Sequence, residues 1–248
     1  MNVIIEIGNT RSKYAIFDGE MLVESGVTLS GLAEKLAAFR SAALPVEMLV
    51  AGTGLIREEV IAPLRRLATT CYQASPDLSL PITIGYDTPA TLGFDRVAGS
   101  VAGASLYPGR PLLIIDTGTA VTFDYVSRDG MYLGGNISPG LSMRYRSLHV
   151  FTNGLPLVEN ALEHGDLGKS TVEAIRNGVL KGFLFEMRGY MDAFAREHPE
   201  GIILLTGGDG EWLNELIDRP VVQDKYLVMK GLNLILSYQK EKKSCVKF

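Results

Sequence analysis

The chain uses one pattern twice, and this duplication restricts the fold more than any other feature of the sequence. Residues 3–19 and residues 112–130 each contain an apolar run, an acidic residue, a turn rich in Gly, Asn or Thr, a second apolar run and an Asp-Gly pair. The acidic residues are Glu6 in the first copy and Asp116 in the second. Apolar runs separated by such turns are typical of β-hairpins. The sequence therefore predicts two hairpins of the same design, one in each half of the chain.

Both turns carry groups that suit phosphate. A carboxylate at a strand end, beside backbone N–H groups and hydroxyls, can hold a phosphate and its metal ion. A third turn, Thr-Gly-Gly at residues 206–208, also follows an apolar run. The first turn alone is better explained as a hairpin loop whose Gly and Asn tolerate positive φ. The repetition favours a nucleotide site, although neither the P-loop nor the G-x-G-x-x-G fingerprint occurs.

Composition excludes several classes of protein. A length of 248 residues suits two modest domains or one large one, and 46% hydrophobic with 21% charged residues is ordinary for a globular protein. The net charge of −4 disfavours nucleic-acid binding. We expect no membrane span and no signal peptide, because no apolar run approaches about 18 residues and the N-terminus has no basic leader. The two cysteines fit a reducing cytoplasm and have no zinc-ligand spacing.

Periodicity and turn residues predict the remaining elements. Helices are predicted at residues 31–39, 60–67, 95–106, 141–150, 171–187, from 212 onward and 233–239, and strands at 48–51, 82–84 and 202–205. Ser30 is the predicted N-cap of the first helix, and Ser170 opens a capping box for the long helix at 171–187. The Pro-Gly-Arg-Pro break at residues 108–111 predicts a domain boundary, with domains at 1–111 and 112–248.

The segment Gly93-Phe94-Asp95-Arg96 is the candidate acceptor site. The simpler explanation is a helix start in which Asp95 complements the helix dipole. The functional alternative places Asp95 beside an acceptor hydroxyl and lets the planar Arg96 guanidinium bind a substrate anion. Tyr86 is either part of a plain turn or a lining residue of the same pocket.

Taken in order, these motifs resemble those of the type III pantothenate kinases, which belong to the superfamily of sugar kinases, heat-shock chaperones and actin. The resemblance extends from the first strand to about Gly231. It is carried by residues 6–13, Tyr86 with residues 93–96, residues 116–122, residues 134–140, Thr171 and residues 206–208. It implies an α/β fold of two duplicated actin-like, ribonuclease H-like domains, each a mixed sheet flanked by helices, with a cleft between them.

The resemblance implies ATP-dependent phosphorylation of pantothenate, the first step of coenzyme A biosynthesis. The implied ATP contacts are Glu6, Gly8, Asn9, Thr10, Arg11, Ser12, Lys13, Thr119, Gly207 and Gly208. The implied pantothenate contacts are Tyr86, Gly93, Phe94, Asp95, Arg96 and Thr171. Asp95 is the implied proton acceptor and Asp116 the ligand of a monovalent cation, K⁺ or NH₄⁺. Mg²⁺ accompanies ATP, and the implied assembly is a homodimer, for which the helix at 171–187 is the candidate interface.

One residue departs from the family pattern. The family has Asp where this chain has Glu6, and the extra methylene displaces the carboxylate by more than an ångström on the scale of covalent bonds. Because Mg²⁺ demands tight geometry, Glu6 is expected to act on the metal through a water molecule, with altered rather than abolished activity. Two alternatives stay open: a kinase of the same fold for another small hydroxylated acceptor, and a non-catalytic nucleotide-binding factor that influences gene expression.

Overall fold

The computed structural model describes residues 1–8, 11–52, 57–159 and 165–245, with side chains as far as residue 242. The strands are β1 (Asn2–Ile7), β2 (Ser12–Asp18), β3 (Met21–Gly26), β4 (Glu47–Gly52), β5 (Thr70–Gln73), β6 (Thr83–Ile84), β7 (Leu112–Thr117), β8 (Ala120–Val126), β9 (Met131–Pro139), β10 (Ile202–Thr206) and β11 (Val222–Gln223). The helices are α1 (Leu32–Ser41), α2 (Glu58–Leu67), α3 (Phe94–Leu106), α4 (Leu141–Val150), α5 (Thr171–Glu197), α6 (Gly210–Asn214) and α7 (Leu227–Cys245).

Contacts divide the chain into two compact units. The first unit contains residues 1–108, 129–133 and 226–248, and the second contains residues 109–128 and 134–225. The division of the duplicated sequence into domains 1–111 and 112–248 stays a proposal. None of the helices in the described part of the chain is long and apolar enough to cross a bilayer.

The first unit is built on a sheet with strand order β3-β2-β1-β4-β5. The central strand β1 pairs antiparallel with β2 and parallel with β4. Its apolar run is fully buried on both faces: Val3 and Ile5 pack in one cluster with α1 and α2, and Ile4 packs in another with α3 and α7. Burial on both faces explains why β1 reads as a continuous apolar run rather than an alternating one.

The second unit repeats this arrangement. Strands β9-β8-β7-β10-β11 lie side by side in that order, with β7 antiparallel to β8 and parallel to β10. The helix α5 covers one face, where Phe183 and Met187 pack against residues of β7 and β8. Each unit thus contains the hairpin that the duplicated pattern predicts, with two parallel strands beside it. The predicted α/β class with two mixed, helix-flanked sheets is confirmed.

Several helix termini differ from the prediction; α5, for example, ends at Glu197 and not at residue 187. The N-cap of α1 is Gly31, with φ +75° and no side-chain cap, instead of Ser30. A left-handed conformation there favours glycine, since a Cβ would be strained. The last helix begins at Leu227 and extends to Cys245, so it is much longer than the predicted 233–239. Its first turns are retained because Met229 and Leu232 are buried in the first unit's core.

Candidate functional site

The first predicted phosphate turn connects β1 to β2. The Gly8 amide donates a hydrogen bond to the Arg11 carbonyl at 3.0 Å, which closes the turn. A Cβ at Gly8 would lie 3.1 Å from the same oxygen, so the turn leaves little room for a side chain. Ser12 begins β2 directly afterwards. Asn9 and Thr10, the two other predicted contacts of this turn, lie outside the described residues.

Glu6 places a mostly buried carboxylate at the start of this turn. Its carboxylate lies 3.7 Å from Lys13 Nζ, its partner across the two strands. Burial raises the pKa of Glu6, Lys13 opposes the shift, and the negative charge of Asp95 adds to it. The structure therefore brings Glu6 and Asp95, which are 89 positions apart in the sequence, within electrostatic range of each other.

The Glu6 carboxylate suits a divalent cation. Mg²⁺ prefers oxygen ligands and usually takes one or two carboxylates together with water and substrate phosphates. Within the described ranges, no cluster of three or more His, Cys, Asp or Glu residues is placed to hold a metal ion by itself. The Glu6 carboxylate thus fits a metal that arrives with phosphate and water ligands.

The predicted acceptor residues lie at the start of α3. Gly93 is the N-cap, and Asp95 Oδ1 accepts a hydrogen bond from the Arg96 amide at 2.9 Å. A Cβ at Gly93 would lie 2.5 Å from Asp95 Oδ1, so glycine leaves space for this carboxylate. Arg96 is 7% exposed, and Phe94 packs on the apolar cluster beneath α3. The N-terminal position also favours a negatively charged ligand here, because the helix dipole is positive at this end.

Tyr132, which no sequence motif predicted, contacts two predicted acceptor residues. Its ring centroid is 5.9 Å from that of Tyr86, at 60°, and 5.9 Å from Arg96 Cζ. Tyr132 is fully buried, and its carbonyl accepts a 2.8 Å hydrogen bond from the Gly85 amide. The contact depends on the pairing of β6 with residue 132 of β9. No local signal predicts a pairing across that sequence distance.

In the second unit, the turn after β7 contacts the Thr-Gly-Gly turn after β10. Thr117 Oγ1 donates to the Thr206 carbonyl at 2.8 Å. Gly207 has φ +96°, and a Cβ there would lie 2.5 Å from both Asp116 Oδ1 and Thr117 N. The space around Gly208 is open, with no atom within 4 Å of a Cβ placed there. Two predicted nucleotide turns therefore lie together. Of the two adjacent glycines in the second turn, Gly207 is enclosed and Gly208 is accessible.

The Gly-rich segment at residues 134–140 also reaches this turn. The Gly140 amide donates to the Thr119 carbonyl at 3.2 Å. Asp116 supplies a carboxylate beside these glycines: a Cβ on Gly118 would be 3.3 Å from its Oδ1. The Asp116 carboxylate is a hard oxygen donor, the type of ligand that suits a hard cation.

Thr171, the remaining predicted pantothenate contact, is the first residue of α5 in the second unit. The predicted N-cap is confirmed: Ser170 Oγ accepts from the Glu173 amide at 3.3 Å, and the Glu173 carboxylate accepts from the Lys169 amide at 2.7 Å. Thr171 is exposed and borders an apolar cavity of about 430 Å³ that Leu148, Leu155 and Ile175 also line. The predicted site residues are thus divided between the units, and the sharing of one nucleotide by Glu6 and Asp116 stays a prediction.

Comparison with known proteins identifies the family. The type III pantothenate kinase family matches residues 2–193. The type III pantothenate kinase of Bacteroides fragilis strain YCH46 is 41% identical over 238 residues, which cover 96% of this chain and 98% of that protein.

Two solved structures are similar in fold. A conserved protein of Campylobacter jejuni, described as a Baf family transcriptional activator, has a TM-score of 0.60 at 18% identity, covering 96% of this chain and 99% of its own. A Sinorhizobium meliloti protein described as a 2-dehydro-3-deoxygalactonokinase has a TM-score of 0.55 at 11% identity, covering both chains in full. These similarities agree with the α/β fold class, and the predicted family is confirmed. This chain belongs to the type III pantothenate kinase family.

Proposed function

We propose that this chain transfers the γ-phosphate of ATP to the primary hydroxyl of pantothenate, the first step of coenzyme A biosynthesis. Family membership supports the reaction. The observation that carries it is the Asp95–Arg96 pair at the N-terminus of α3, with the Glu6 carboxylate in electrostatic range of Asp95. An acceptor-side carboxylate beside a phosphate turn is what a phosphotransferase needs.

Positioning and charge neutralisation provide most of the catalysis in phosphoryl transfer. Asp95 orients the pantothenate hydroxyl and accepts its proton late, since a carboxylate is a weak base for an alcohol until the P–O bond forms. Arg96 pairs with negative charge on the substrate or the transition state through its planar guanidinium. Tyr86 and Thr171 complete the proposed acceptor contacts.

The proposed cations are Mg²⁺ and either K⁺ or NH₄⁺. Glu6 would hold the Mg²⁺ through a water molecule, and Asp116 would hold the monovalent cation. When bound, these cations neutralise charge on the ATP phosphates. The monovalent cation has a direct test: pantothenate-dependent ADP release should collapse when Na⁺ replaces K⁺ and recover when K⁺ is restored.

The experiment for the reaction is pantothenate-dependent ADP release by wild type and Asp95→Asn. We expect the substitution to lower turnover by about 10²–10³-fold, a typical loss for one transition-state contact. Asp87→Asn is the matched control, since Asp87 is exposed and lies outside the proposed contacts. Near wild-type turnover by a folded Asp95→Asn protein would remove Asp95 from the mechanism.

A second candidate function is a non-catalytic nucleotide-binding factor. The observation that favours it is Glu6 at a position where the family pattern has Asp. Nucleotide binding without turnover on any acceptor, in a panel that includes pantothenate and other small alcohols, would support this alternative. Turnover on a different alcohol would instead indicate a kinase with another acceptor.

We also propose that the chain forms a homodimer through α5. One face of this helix carries Ala174, Gly178, Gly182, Phe185 and Gly189 at helical spacing, and all five are exposed. Phe185 is 64% exposed, and the space around the three glycines is open. A second α5 could approach closely over the glycines and bury Phe185. Sedimentation should give a dimer, and Gly182→Gln should shift it to monomer; a wild-type monomer at all concentrations would contradict the proposal.

A further inference from the structure

Arg144 of α4 connects three segments of the second unit. Its Nε donates to the Pro139 carbonyl at 2.8 Å, and its Nη2 donates to Ser138 Oγ at 3.0 Å. The same Nη2 forms an ion pair with Glu186 of α5, and the guanidinium lies 5.0 Å from the centre of the Phe183 ring. One side chain therefore joins the end of β9 to the long helix.

We expect the contacts of Arg144 to be stronger than an ordinary surface ion pair. The Arg144 and Glu186 side chains are only 22% and 24% exposed. Partial burial reduces screening by solvent, and hydrogen bonds from a charged donor are stronger than neutral ones. The planar guanidinium of Arg144 donates to the Pro139 carbonyl and the Ser138 hydroxyl at the same time. A lysine ammonium on a flexible side chain is less well suited to make both hydrogen bonds.

The segment that Arg144 holds lies directly against the predicted ATP contact Thr119. After Ser138 and Pro139, the Gly140 amide donates to the Thr119 carbonyl. A Cβ at Gly140 would lie 2.3 Å from that oxygen and 2.5 Å from the Gly118 carbonyl oxygen. With backbones this close, a displacement of residues 138–140 must displace the Gly118-Thr119 turn as well.

We propose that Arg144 is a positioning residue for nucleotide binding. It fixes residues 138–140 against the Gly118-Thr119 turn, and Glu186 anchors the guanidinium to α5. The inference rests on the proposed function, because it assigns the turn to ATP. The helix α4 does not depend on Arg144 for its own packing, since Leu141 and Tyr145 are buried in the core. Loss of the guanidinium should therefore affect the turn more than the fold.

The test compares Arg144→Met, Arg144→Lys and Glu186→Gln with wild type. Met keeps an unbranched apolar stem and removes all donors, so we expect the KM for ATP and the Kd for ADP to rise about tenfold, the scale of coupling through such networks. The KM for pantothenate should change by less than about twofold. Arg144→Lys and Glu186→Gln should give smaller increases in the same two constants. Arg146→Met is the matched control, because Arg146 is exposed on the same helix, and it should match wild type.

The outcomes separate a positioning role from a structural one. An unchanged ADP affinity in folded Arg144→Met and Arg144→Lys would overturn the proposal. Equal rises in both KM values, in proportion to a lower melting temperature, would also overturn it. ADP affinity, measured by calorimetry without acceptor, does not require pantothenate to be the substrate. A wild type without pantothenate-dependent turnover would therefore refute the proposed function while this test could still succeed or fail.

Discussion

Glu6 and Lys13 face each other across β1 and β2, with 3.7 Å between the carboxylate and Lys13 Nζ. The pair is uneven: the Glu6 side chain is 19% exposed and that of Lys13 is 44% exposed. Burial and the charge of Asp95 both raise the pKa of Glu6 against the opposing effect of Lys13. Lys13 therefore offsets only part of the cost of ionising this carboxylate, and a bound cation would offset more of it.

Substitution of Glu6 should change the response to Mg²⁺. Glu6→Asp shortens the side chain by one carbon–carbon bond, about 1.5 Å, and should lower the Mg²⁺ concentration for half-maximal activity by permitting a tighter metal geometry. Glu6→Gln removes the charge and should reduce turnover by about 10²–10³-fold. The measurement is ADP release across a Mg²⁺ titration, with exposed Glu20→Gln as the control. Superimposable titrations for all four proteins would exclude Glu6 from the metal site.

Substitution of Tyr132 should change the KM for pantothenate and not the KM for ATP. Tyr132→Leu removes the ring that contacts Tyr86 and Arg96, so the KM for pantothenate should rise about tenfold, the scale expected for a cation–π contact of about 1 kcal/mol together with lost packing. The KM for ATP should stay close to wild type. Tyr132→Phe keeps the ring and is the control for the aromatic contact. A larger change in the KM for ATP than in that for pantothenate would contradict this role.

Much of the fold is predictable because its signals are local. The observed α4 has the predicted bounds, 141–150, since a glycine precedes its first turn and a buried Leu141 begins it. The duplicated hairpins are predictable because apolar runs and Asp-Gly pairs lie next to each other in the chain. Gly19 and Gly130, which lie in the turns from β2 to β3 and from β8 to β9, have φ +61° and +74°. The N-terminal extension of α7 was not predicted, because burial against α3 supports it and periodicity within the segment does not.

The candidate site was predictable only in its local motifs. The turn at Glu6 and the Asp95–Arg96 pair are visible as short sequence patterns. The contacts of Tyr132 and Arg144 depend on side chains brought together from distant segments, such as Arg144 with Glu186, 42 positions later. Such partners follow from strand pairing and helix packing, neither of which leaves a signal near the residue itself.

Gly207 and Gly208 are adjacent, yet they should respond differently to alanine. Gly207→Ala forces a Cβ into a φ +96° backbone within 2.5 Å of Asp116 Oδ1, so the melting temperature should fall. Gly208→Ala enters open space and should leave the melting temperature unchanged while weakening ADP binding. Thermal denaturation and ADP titration of the two variants serve as mutual controls. Equal melting temperatures in the two variants would contradict the steric enclosure of Gly207.

Asp209 gives the stability of the chain a defined pH dependence. Burial raises the pKa of its carboxyl, against the effect of the hydrogen bond from Trp212 Nε1. Because the folded state favours the protonated form, this stabilisation is fully present below the ordinary value of 3.8 and is lost as pH rises through the folded pKa. Asp209→Asn should therefore be more stable than wild type at neutral pH, with a difference that shrinks on acidification. The measurement is urea unfolding at neutral and at acidic pH, with exposed Asp77→Asn as the control. A stability difference between Asp209→Asn and wild type that is the same at both pH values would contradict this prediction.

Gly231 determines how closely α7 can approach α3, the helix that carries Asp95. A Cβ at Gly231 would lie 1.8 Å from the Ala98 carbonyl oxygen, a backbone atom that cannot rotate away. Gly231→Ala must therefore separate the two helices, at a cost of about 1–3 kcal/mol or more in the free energy of unfolding. Turnover should fall as well, because the displaced α3 moves Asp95 relative to its substrate. Gly154→Ala places the same methyl group in open space and should change neither quantity. Urea unfolding and ADP release are measured on both variants. A Gly231→Ala protein as stable as wild type would contradict the close contact between α7 and α3.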